Sequence, residues 1–334
     1  MRILFLILAV AALSLASFVS CKRPHASPTE SPPIESSPTR AAATTLPIAT
    51  SPIATSAVAV SDAGATANLP DTASRDMAMR AHAEELRRRL GPSFHIRYEW
   101  PFVAAGNLPL AQFNAIFEHS LMGSCKCLCR DYFTSEPDRL ITVYLFKNDA
   151  DYRRYADELF GDRPDTPYGY YSHKHRALIM NIGTGTGTLV HEMCHALIER
   201  DFPNYPSWFN EGLASLHEQC EWREGSLVGL PNWRLPALQE AIRAGEALPL
   251  KDVIAKTDAA SFYEKDKGQN YATARYLCQY LQQRGTLKEF YALLRRNIAT
   301  DPTGQKTLEK VFGSPLSEIE PAWRRWVMTL HFPE

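Results

Sequence analysis

The sequence predicts an α+β domain, with a small sheet early in the chain and a mainly helical later half. Residues 141–146 (ITVYLF) form the strongest strand pattern, because they are rich in β-branched and aromatic side chains. Two further short strands are expected over 168–172 and 177–182, joined by the charged turn sequence His-Lys-His-Arg. Beyond residue 187 nearly every segment has helical spacing, and no internal repeat is apparent.

Helical and extended patterns alternate around the first of these strands. The segments expected to be regular are, in chain order, a helix over 74–90, a strand over 94–100, a helix over 110–121, and a helix from a cap at Asn148 to about residue 159. Gly91-Pro92 should end the first helix, because both residue types commonly terminate helices. The Gly/Thr-rich segment 183–187 predicts a flexible connection into the next helix.

The overall composition is that of an ordinary globular protein. The chain has 334 residues, of which 45% are hydrophobic and 22% charged, and its formal net charge is −1. This length allows one large core or two small ones. Because the charge is nearly balanced and no long basic run is present, we do not expect a nucleic-acid partner.

The N-terminal segment has the pattern of an export signal. Arg2 precedes an almost unbroken apolar run over 3–15, which is too short to span a membrane comfortably. Cys21 follows shortly after and resembles the lipobox cysteine of bacterial lipoproteins, although Phe18 stands where leucine is usual. The resemblance implies a signal peptide over 1–21, lipidation of Cys21, and a membrane-anchored location in the cell envelope outside the cytoplasm. A soluble secreted protein and an uncleaved N-terminal anchor are the alternatives.

Residues 22–73 have the composition of a disordered tether. Pro, Ser, Thr and Ala dominate the segment and aromatic residues are absent, so it cannot bury enough apolar surface to offset the entropy of ordering. We expect it to link the N-terminal anchor to a folded domain over 74–334.

The helix after the Gly/Thr-rich segment carries His191-Glu192-Met193-Cys194-His195. Residues four apart lie on the same face of a helix, so both imidazoles can bind one Zn²⁺ at about 2.1 Å. Glu192 is adjacent and suits the role of general base toward a zinc-activated water. The alternative is a helix with two ordinary histidines, but its apolar flanks predict burial, where unpaired histidines are unfavourable.

A second motif follows the two prolines Pro203 and Pro206, at the start of another helix. Its sequence is Trp208-Phe209-Asn210-Glu211-Gly212-Leu213-Ala214. A catalytic zinc site needs a third protein ligand and one open position. Together the two motifs, within 188–218, resemble the gluzincin metallopeptidases, most closely the peptidase-MA-like group. The resemblance implies a zincin-like fold, Glu211 as third ligand and one Zn²⁺ per chain.

The same resemblance implies further parts of a catalytic cleft. The strand before the zinc helix, 177–182, would line the cleft and pair with an extended substrate. Related aminopeptidase-like enzymes use a tyrosine at the start of a downstream helix to stabilise the oxyanion, which corresponds here to Tyr271, with Tyr263 as the other candidate. His217 and Glu218 could support the metal ligands, but we favour a solvated or cleft-edge pair.

These observations predict a zinc-dependent peptidase that acts on a peptide or protein substrate. Glu192 would take a proton from water and pass it to the leaving amine. Two other functions stay open: a catalytically inactive metal-binding envelope module, and a zinc amidase that acts on cell-wall material. An intact Glu192 argues against the first, while nothing in the sequence separates the second from a peptidase.

Six cysteines remain once Cys21 is set aside: Cys125, Cys127, Cys129, Cys194, Cys220 and Cys278. An even number outside the cytoplasm favours disulfides, whose connectivity cannot be read from the sequence. The C-x-C-x-C spacing is unlike structural zinc sites, so a second metal is disfavoured. Cys194 is expected to be a buried small residue, and His173 and His175 to lie in a surface turn.

Overall fold

The computed structural model describes residues 71–134, 137–263 and 268–332. The predicted signal peptide, the lipidation site Cys21 and nearly all of the predicted tether lie outside these residues. The first helix begins at Thr72, so the folded domain starts two residues before the predicted boundary. Within the described ranges, no helix has the length and apolarity needed to cross a membrane.

A mixed sheet forms the first part of the domain. Its strands are β1 (His95–Glu99), β2 (Phe102–Gly106), β3 (Ile141–Phe146), β4 (Gly169–Ser172) and β5 (Ala177–Asn181), in the order β1-β2-β3-β5-β4. The pairs β2–β3 and β3–β5 are parallel, whereas β1–β2 and β4–β5 are antiparallel. The edge strands are therefore β1 and β4, and β5 has a neighbour on both sides.

The α-helices of the described part of the chain are, in order, α1 (Thr72–Leu90), α2 (Leu110–Ala115), α3 (Ser124–Asp131), α4 (Asp149–Phe160), α5 (Gly187–Asp201), α6 (Ser207–Leu216), α7 (Leu235–Ala244), α8 (Leu250–Ile254), α9 (Ala259–Tyr263), α10 (Gln269–Gln283), α11 (Leu287–Asn297), α12 (Gln305–Phe312) and α13 (Leu316–Val327). A π-helical stretch, Ile116–Gly123, joins α2 to α3, and a 3₁₀ turn, Ile182–Thr184, precedes α5. The predicted α+β class with a mainly helical later half is confirmed.

Local signals account for several element boundaries. Asn148 caps α4, because its side-chain oxygen accepts a hydrogen bond from the backbone N–H of Asp151 at 2.9 Å. Gly91, at φ 76°, ends α1 as predicted. The helix predicted over 110–121 instead continues through the π-helical stretch to Asp131, so the cysteine-rich segment is helical.

Two features of the sheet structure differ from the prediction. β2 was not predicted, because all five of its residues are buried and it lacks the alternation that marks a half-exposed strand. A hairpin of β6 (Cys220–Arg223) and β7 (Ser226–Gly229) interrupts the helical half. Glu224 and Gly225 turn the hairpin, both with positive φ, as a two-residue hairpin turn requires.

The sheet separates two hydrophobic cores. Alternating side chains such as Val103 and Ala105 pack with α1 and α4 on one face. Phe102 and Ala104 point to the opposite face and belong to a larger core that the later helices build. This second core contains the helix with the two candidate histidine ligands, so the sheet supports that helix from one side.

Candidate metal centre

Close packing of α6 holds the second motif in place. A Cβ on Gly212 would lie 2.7 Å from the backbone oxygen of Ala274 in α10, so only glycine lets the two helices approach this closely. Trp208 is fully buried and its indole N–H donates to the backbone oxygen of Thr303 at 2.9 Å. The glycine and tryptophan of the motif therefore fix α6, and Glu211 projects from a rigid element.

His191, His195 and Glu211 lie together between α5 and α6. Their ligand atoms are all within 4.8 Å of one another. The two Nε2 atoms of the histidines are 3.0 Å apart. The carboxylate of Glu211 lies 3.4 Å from Nε2 of His191 and 3.5 Å from Nε2 of His195. The two motifs predicted to form one centre are therefore adjacent in space, and this group could hold a metal ion.

The donor set fits a divalent metal. Oε2 of Glu211 is buried without a hydrogen-bond partner among the described residues, which is unfavourable for a carboxylate oxygen. Two imidazole nitrogens and one carboxylate oxygen are a ligand combination found in catalytic zinc sites. A metal between these atoms would satisfy the buried oxygen and both ring nitrogens at once.

Each candidate histidine ligand has a polar partner at its other ring nitrogen. Nδ1 of His195 lies 2.9 Å from Oδ1 of Asn210, an acceptor, so the ring proton belongs on Nδ1 and leaves Nε2 free for a metal. Nδ1 of His191 lies 3.0 Å from Oε1 of Glu218, a close ion-pair contact that is not aligned as a hydrogen bond. Arg234 donates one hydrogen bond to each carboxylate oxygen of Glu218. The bond from Nη2 to Oε1 is 3.2 Å long. Such partners orient the rings that bind a metal.

The interpretation of His217 and Glu218 as a solvated or cleft-edge pair is wrong. The Glu218 side chain is only 9% exposed and supports His191. His217 is buried, and neither of its ring nitrogens has a hydrogen-bond partner in the described residues. Burial, followed by the charge of Arg275, lowers the pKa of His217 to about 3, so this imidazole is neutral.

Charges inside the centre are strongly coupled. Burial alone would lower the pKa of His191, but the carboxylates of Glu211 and Glu218 outweigh it and raise that pKa to about 10. Burial likewise opposes ionisation of Glu211, yet the two candidate histidine ligands and Tyr263 lower its pKa to about 2. The pKa of Glu218 is also lowered to about 2, against burial, by His191 and Arg234. Both carboxylates are therefore anionic.

Glu192 faces a cavity rather than the buried side of α5. Its Oε2 accepts a hydrogen bond from the backbone N–H of Tyr171 in β4 at 3.0 Å. The cavity has a volume of about 340 Å³, and its walls are formed by Tyr171, His173, His191, Glu192, His195, Tyr205, Ser207, Asn210, Glu211, Ala259, Tyr263 and Tyr271. The predicted base and all three candidate ligands thus share one cavity.

The expectation that 177–182 pairs with a substrate is wrong. This segment forms β5, which is hydrogen-bonded to β3 on one side and to β4 on the other. The free edge belongs to β4. Because Tyr168 and Asn181 are bonded across this pair, alternation places the N–H of Tyr171 on the side facing away from β5. That side is where Glu192 and the cavity lie.

Both candidate tyrosines reach the cavity. The Tyr263 hydroxyl donates to Oε1 of Glu211, and the rings of Tyr263 and Tyr271 are 6.2 Å apart. Burial and the Glu211 charge raise the pKa of both hydroxyls, so they stay protonated and can donate hydrogen bonds. Tyr271 remains the predicted oxyanion donor, and Tyr263 is the tyrosine in contact with a candidate ligand.

The other cysteines and histidines differ in part from expectation. Cys125, Cys127, Cys194, Cys220 and Cys278 carry free thiols in the structure, unlike the disulfides that were favoured. Cys125 and Cys129 lie one turn apart on α3, with their sulfur atoms 3.8 Å from each other. Cys194 is buried, as predicted.

His173 lies in the turn after β4 as expected, borders the cavity and pairs with Glu199 at 3.4 Å.

Fold and site together define a class: an α+β protein with a buried His₂Glu cluster that could hold a metal ion beside a cavity. No protein-family model matches this chain, and no curated protein matches it significantly.

Proposed function

We propose that this protein is a zinc-dependent peptidase with a zincin-like fold. One observation carries the proposal: Glu192 shares a cavity with His191, His195 and Glu211, and its carboxylate accepts a hydrogen bond from the backbone of β4. A structural metal site needs only its ligands, and it would have no use for an additional carboxylate at an accessible wall. A general base needs this kind of placement.

His191, His195 and Glu211 would hold the ion, one per chain. Zinc bound there supplies Lewis acidity, which lowers the pKa of water and polarises a carbonyl group. Glu192 accepts the proton of the attacking water and delivers it to the leaving amine. Tyr271, or Tyr263, donates a hydrogen bond to the developing oxyanion through its protonated hydroxyl.

The free edge of β4 supports a peptide as substrate. The outer edge of β4 borders the cavity. The N–H of Tyr171 is engaged by Glu192, but an extended peptide could pair with the other outward-facing backbone groups of this edge as a further strand. Its scissile carbonyl would then lie near Glu192. A zinc amidase for cell-wall material would use the same metal centre, and an inactive metal-binding module would use the three ligands alone.

The location proposed for this activity is the cell envelope. Its basis is the export-type N-terminal segment with Cys21, which would anchor the domain to a membrane or, without acylation, allow secretion. Mass spectrometry of the membrane fraction tests this directly. Diacylglycerol on Cys21 supports the lipid anchor, whereas an intact N-terminal apolar segment rules out lipidation and favours the uncleaved anchor.

The activity is tested with the purified chain, Glu192→Gln, and Glu240→Gln as a matched control at an exposed carboxylate on α7. Zinc content and cleavage of a mixed peptide library and a cell-wall fragment library are measured. We expect about one zinc in each protein, and peptide cleavage about 10²–10⁴-fold slower in Glu192→Gln alone. Cleavage of cell-wall fragments only would favour the amidase. Zinc without cleavage of either library would favour the inactive module, and absence of zinc would refute both enzyme proposals.

A further inference from the structure

The turn between β7 and α7 is anchored in the hydrophobic core. Asn232 is fully buried, and its backbone N–H donates to the hydroxyl of Tyr276 at 3.0 Å. Its side-chain oxygen accepts a hydrogen bond from the backbone N–H of Arg234 at 3.1 Å. Arg234 is the cap residue of α7. The buried turn before Arg234 and the helix after it therefore hold the backbone of Arg234 in place.

The guanidinium group of Arg234 contacts two parts of the candidate centre. It donates to both carboxylate oxygens of Glu218, whose Oε1 lies 3.0 Å from Nδ1 of His191. It also lies over the ring of Tyr271, 5.4 Å from the ring centroid. One cation thus connects the carboxylate behind a candidate metal ligand with a tyrosine of the cavity wall.

Arginine suits this position better than lysine. Its planar, forked group can bind a carboxylate with two hydrogen bonds while its face lies over an aromatic ring, whereas an ammonium group is a single point charge. The side chain of Arg234 is 20% exposed and that of Glu218 is 9% exposed. The pair is mostly shielded from solvent, so loss of the arginine would leave a buried carboxylate with His191 as its remaining charged partner.

We propose that Arg234 is a positioning residue of the metal centre, acting through two contacts. Through Glu218 it fixes the ring of His191, and through its own planar group it fixes Tyr271 against the cavity. The kinetic part of this inference rests on the proposed peptidase function, whereas its effect on metal binding does not. A purely structural ion pair would change the stability of the protein but not the metal affinity of its folded form.

Metal affinity tests the first contact. The variants are Arg234→Ala, Glu218→Gln and their combination, with Arg243→Ala at an exposed position of α7 as the matched control. Zinc dissociation constants are measured on the full chain by competition with a chelator. We expect Arg234→Ala to weaken zinc binding about 10-fold or more. The double variant should bind zinc as Glu218→Gln does, because Arg234 acts through Glu218. Two results would refute positioning of His191 through Glu218. One is unchanged zinc affinity in Arg234→Ala, and the other is a double variant whose loss of zinc affinity equals the product of the two single losses.

Kinetics test the second contact. If Arg234 positions Tyr271, Arg234→Ala should lower kcat about 10-fold or more at saturating zinc, with KM nearly unchanged. Combined with Tyr271→Phe, it should lower kcat little further. Multiplicative losses in the double variant would contradict the contact with Tyr271. If the unaltered protein cleaves no peptide, the peptidase proposal fails, and the zinc affinities still decide whether Arg234 positions His191.

Arg234→Lys provides a second test in case the alanine variant does not fold. Lysine keeps a cation beside Glu218, so we expect a folded protein with nearly normal zinc binding. It lacks the planar group over Tyr271, so kcat should remain low. A lysine variant with kcat equal to that of the unaltered protein would refute positioning through the guanidinium plane.

Discussion

The carboxylate of Glu192 accepts a hydrogen bond from the backbone N–H of Tyr171 at 3.0 Å, across the gap between α5 and the edge strand β4. Because the donor is a backbone group of a paired strand, it cannot rotate away as a side chain could. The sheet edge therefore sets the direction of the proposed general base, and β4 links substrate binding to proton transfer in the proposed mechanism.

Removal of this backbone donor should impair catalysis without removing the metal. Tyr171→Pro eliminates the N–H, and the ladder to β5 should survive because this N–H faces away from β5. Tyr171→Ala is the matched control, since it also loses the ring but retains the N–H. We expect kcat to be about 10-fold or more lower in the proline variant than in the alanine variant, with equal zinc content. Equal kcat values would show that the hydrogen bond has no catalytic role.

The contact between Asn210 and His195 leads to a prediction about metal affinity. Oδ1 of Asn210 fixes the proton on Nδ1 of His195, so Asn210→Ala should weaken zinc binding about 10–100-fold. Asn210→Asp is the control because it retains an oxygen acceptor at the same distance, and it should bind zinc nearly as the unaltered protein does. Competition with a chelator measures both. Unchanged binding in the alanine variant would mean that the ring orientation is set by packing alone.

The three candidate metal ligands could be predicted from the sequence because each lies in a short local motif. His191 and His195 share a face through helix geometry, and Glu211 was identified through the surrounding motif. The structure then places their ligand atoms within 4.8 Å of one another. The strong strand β3 was also predictable, because its residue types have few alternatives.

The supporting residues were not accessible in the same way. Arg234 is 16 residues from Glu218, and a hairpin that the sequence did not predict lies between them. No periodic pattern connects residues that meet only after such a turn. Strand order fails for a similar reason: the sequence identified 177–182 as a strand that follows 168–172 after a short turn, but only tertiary pairing shows that β3 occupies its other edge.

The two tyrosines of the cavity can be separated by measurement. Tyr271→Phe should lower kcat about 10²–10³-fold if its hydroxyl donates to the oxyanion, with zinc affinity unchanged. Tyr263→Phe removes a hydroxyl that donates to Glu211, so we expect less than about a 10-fold loss of kcat. Each phenylalanine variant is the control for the other. The opposite order of kcat values would assign the oxyanion contact to Tyr263.

His217 predicts a specific pH dependence of stability in the metal-free protein. Its pKa is about 3 in the folded protein, against an ordinary value of 6.5. Between these values the unfolded chain binds a proton that the folded protein does not. Stability should therefore fall as the pH falls below 6.5, by up to about 1.4 kcal/mol per pH unit. Between about pH 6.5 and 5, the change in stability comes from His217 rather than from the other buried groups of the centre. The buried glutamates gain protons only at lower pH, and the raised pKa of His191 affects stability only at higher pH.

Urea unfolding across that window tests the prediction with His217→Phe. Phenylalanine cannot gain a proton, and it loses no hydrogen bond, because neither ring nitrogen of His217 has a partner in the part of the chain that the structure describes. It should also pack beside Tyr132, whose ring centroid is 5.9 Å from that of His217. We expect a flatter dependence of the unfolding free energy on pH in this variant, whereas His119→Gln, at an exposed histidine, should keep the original slope. If His217→Phe keeps that slope as well, the imidazole must be able to gain a proton inside the folded protein, and a buried neutral His217 would be excluded.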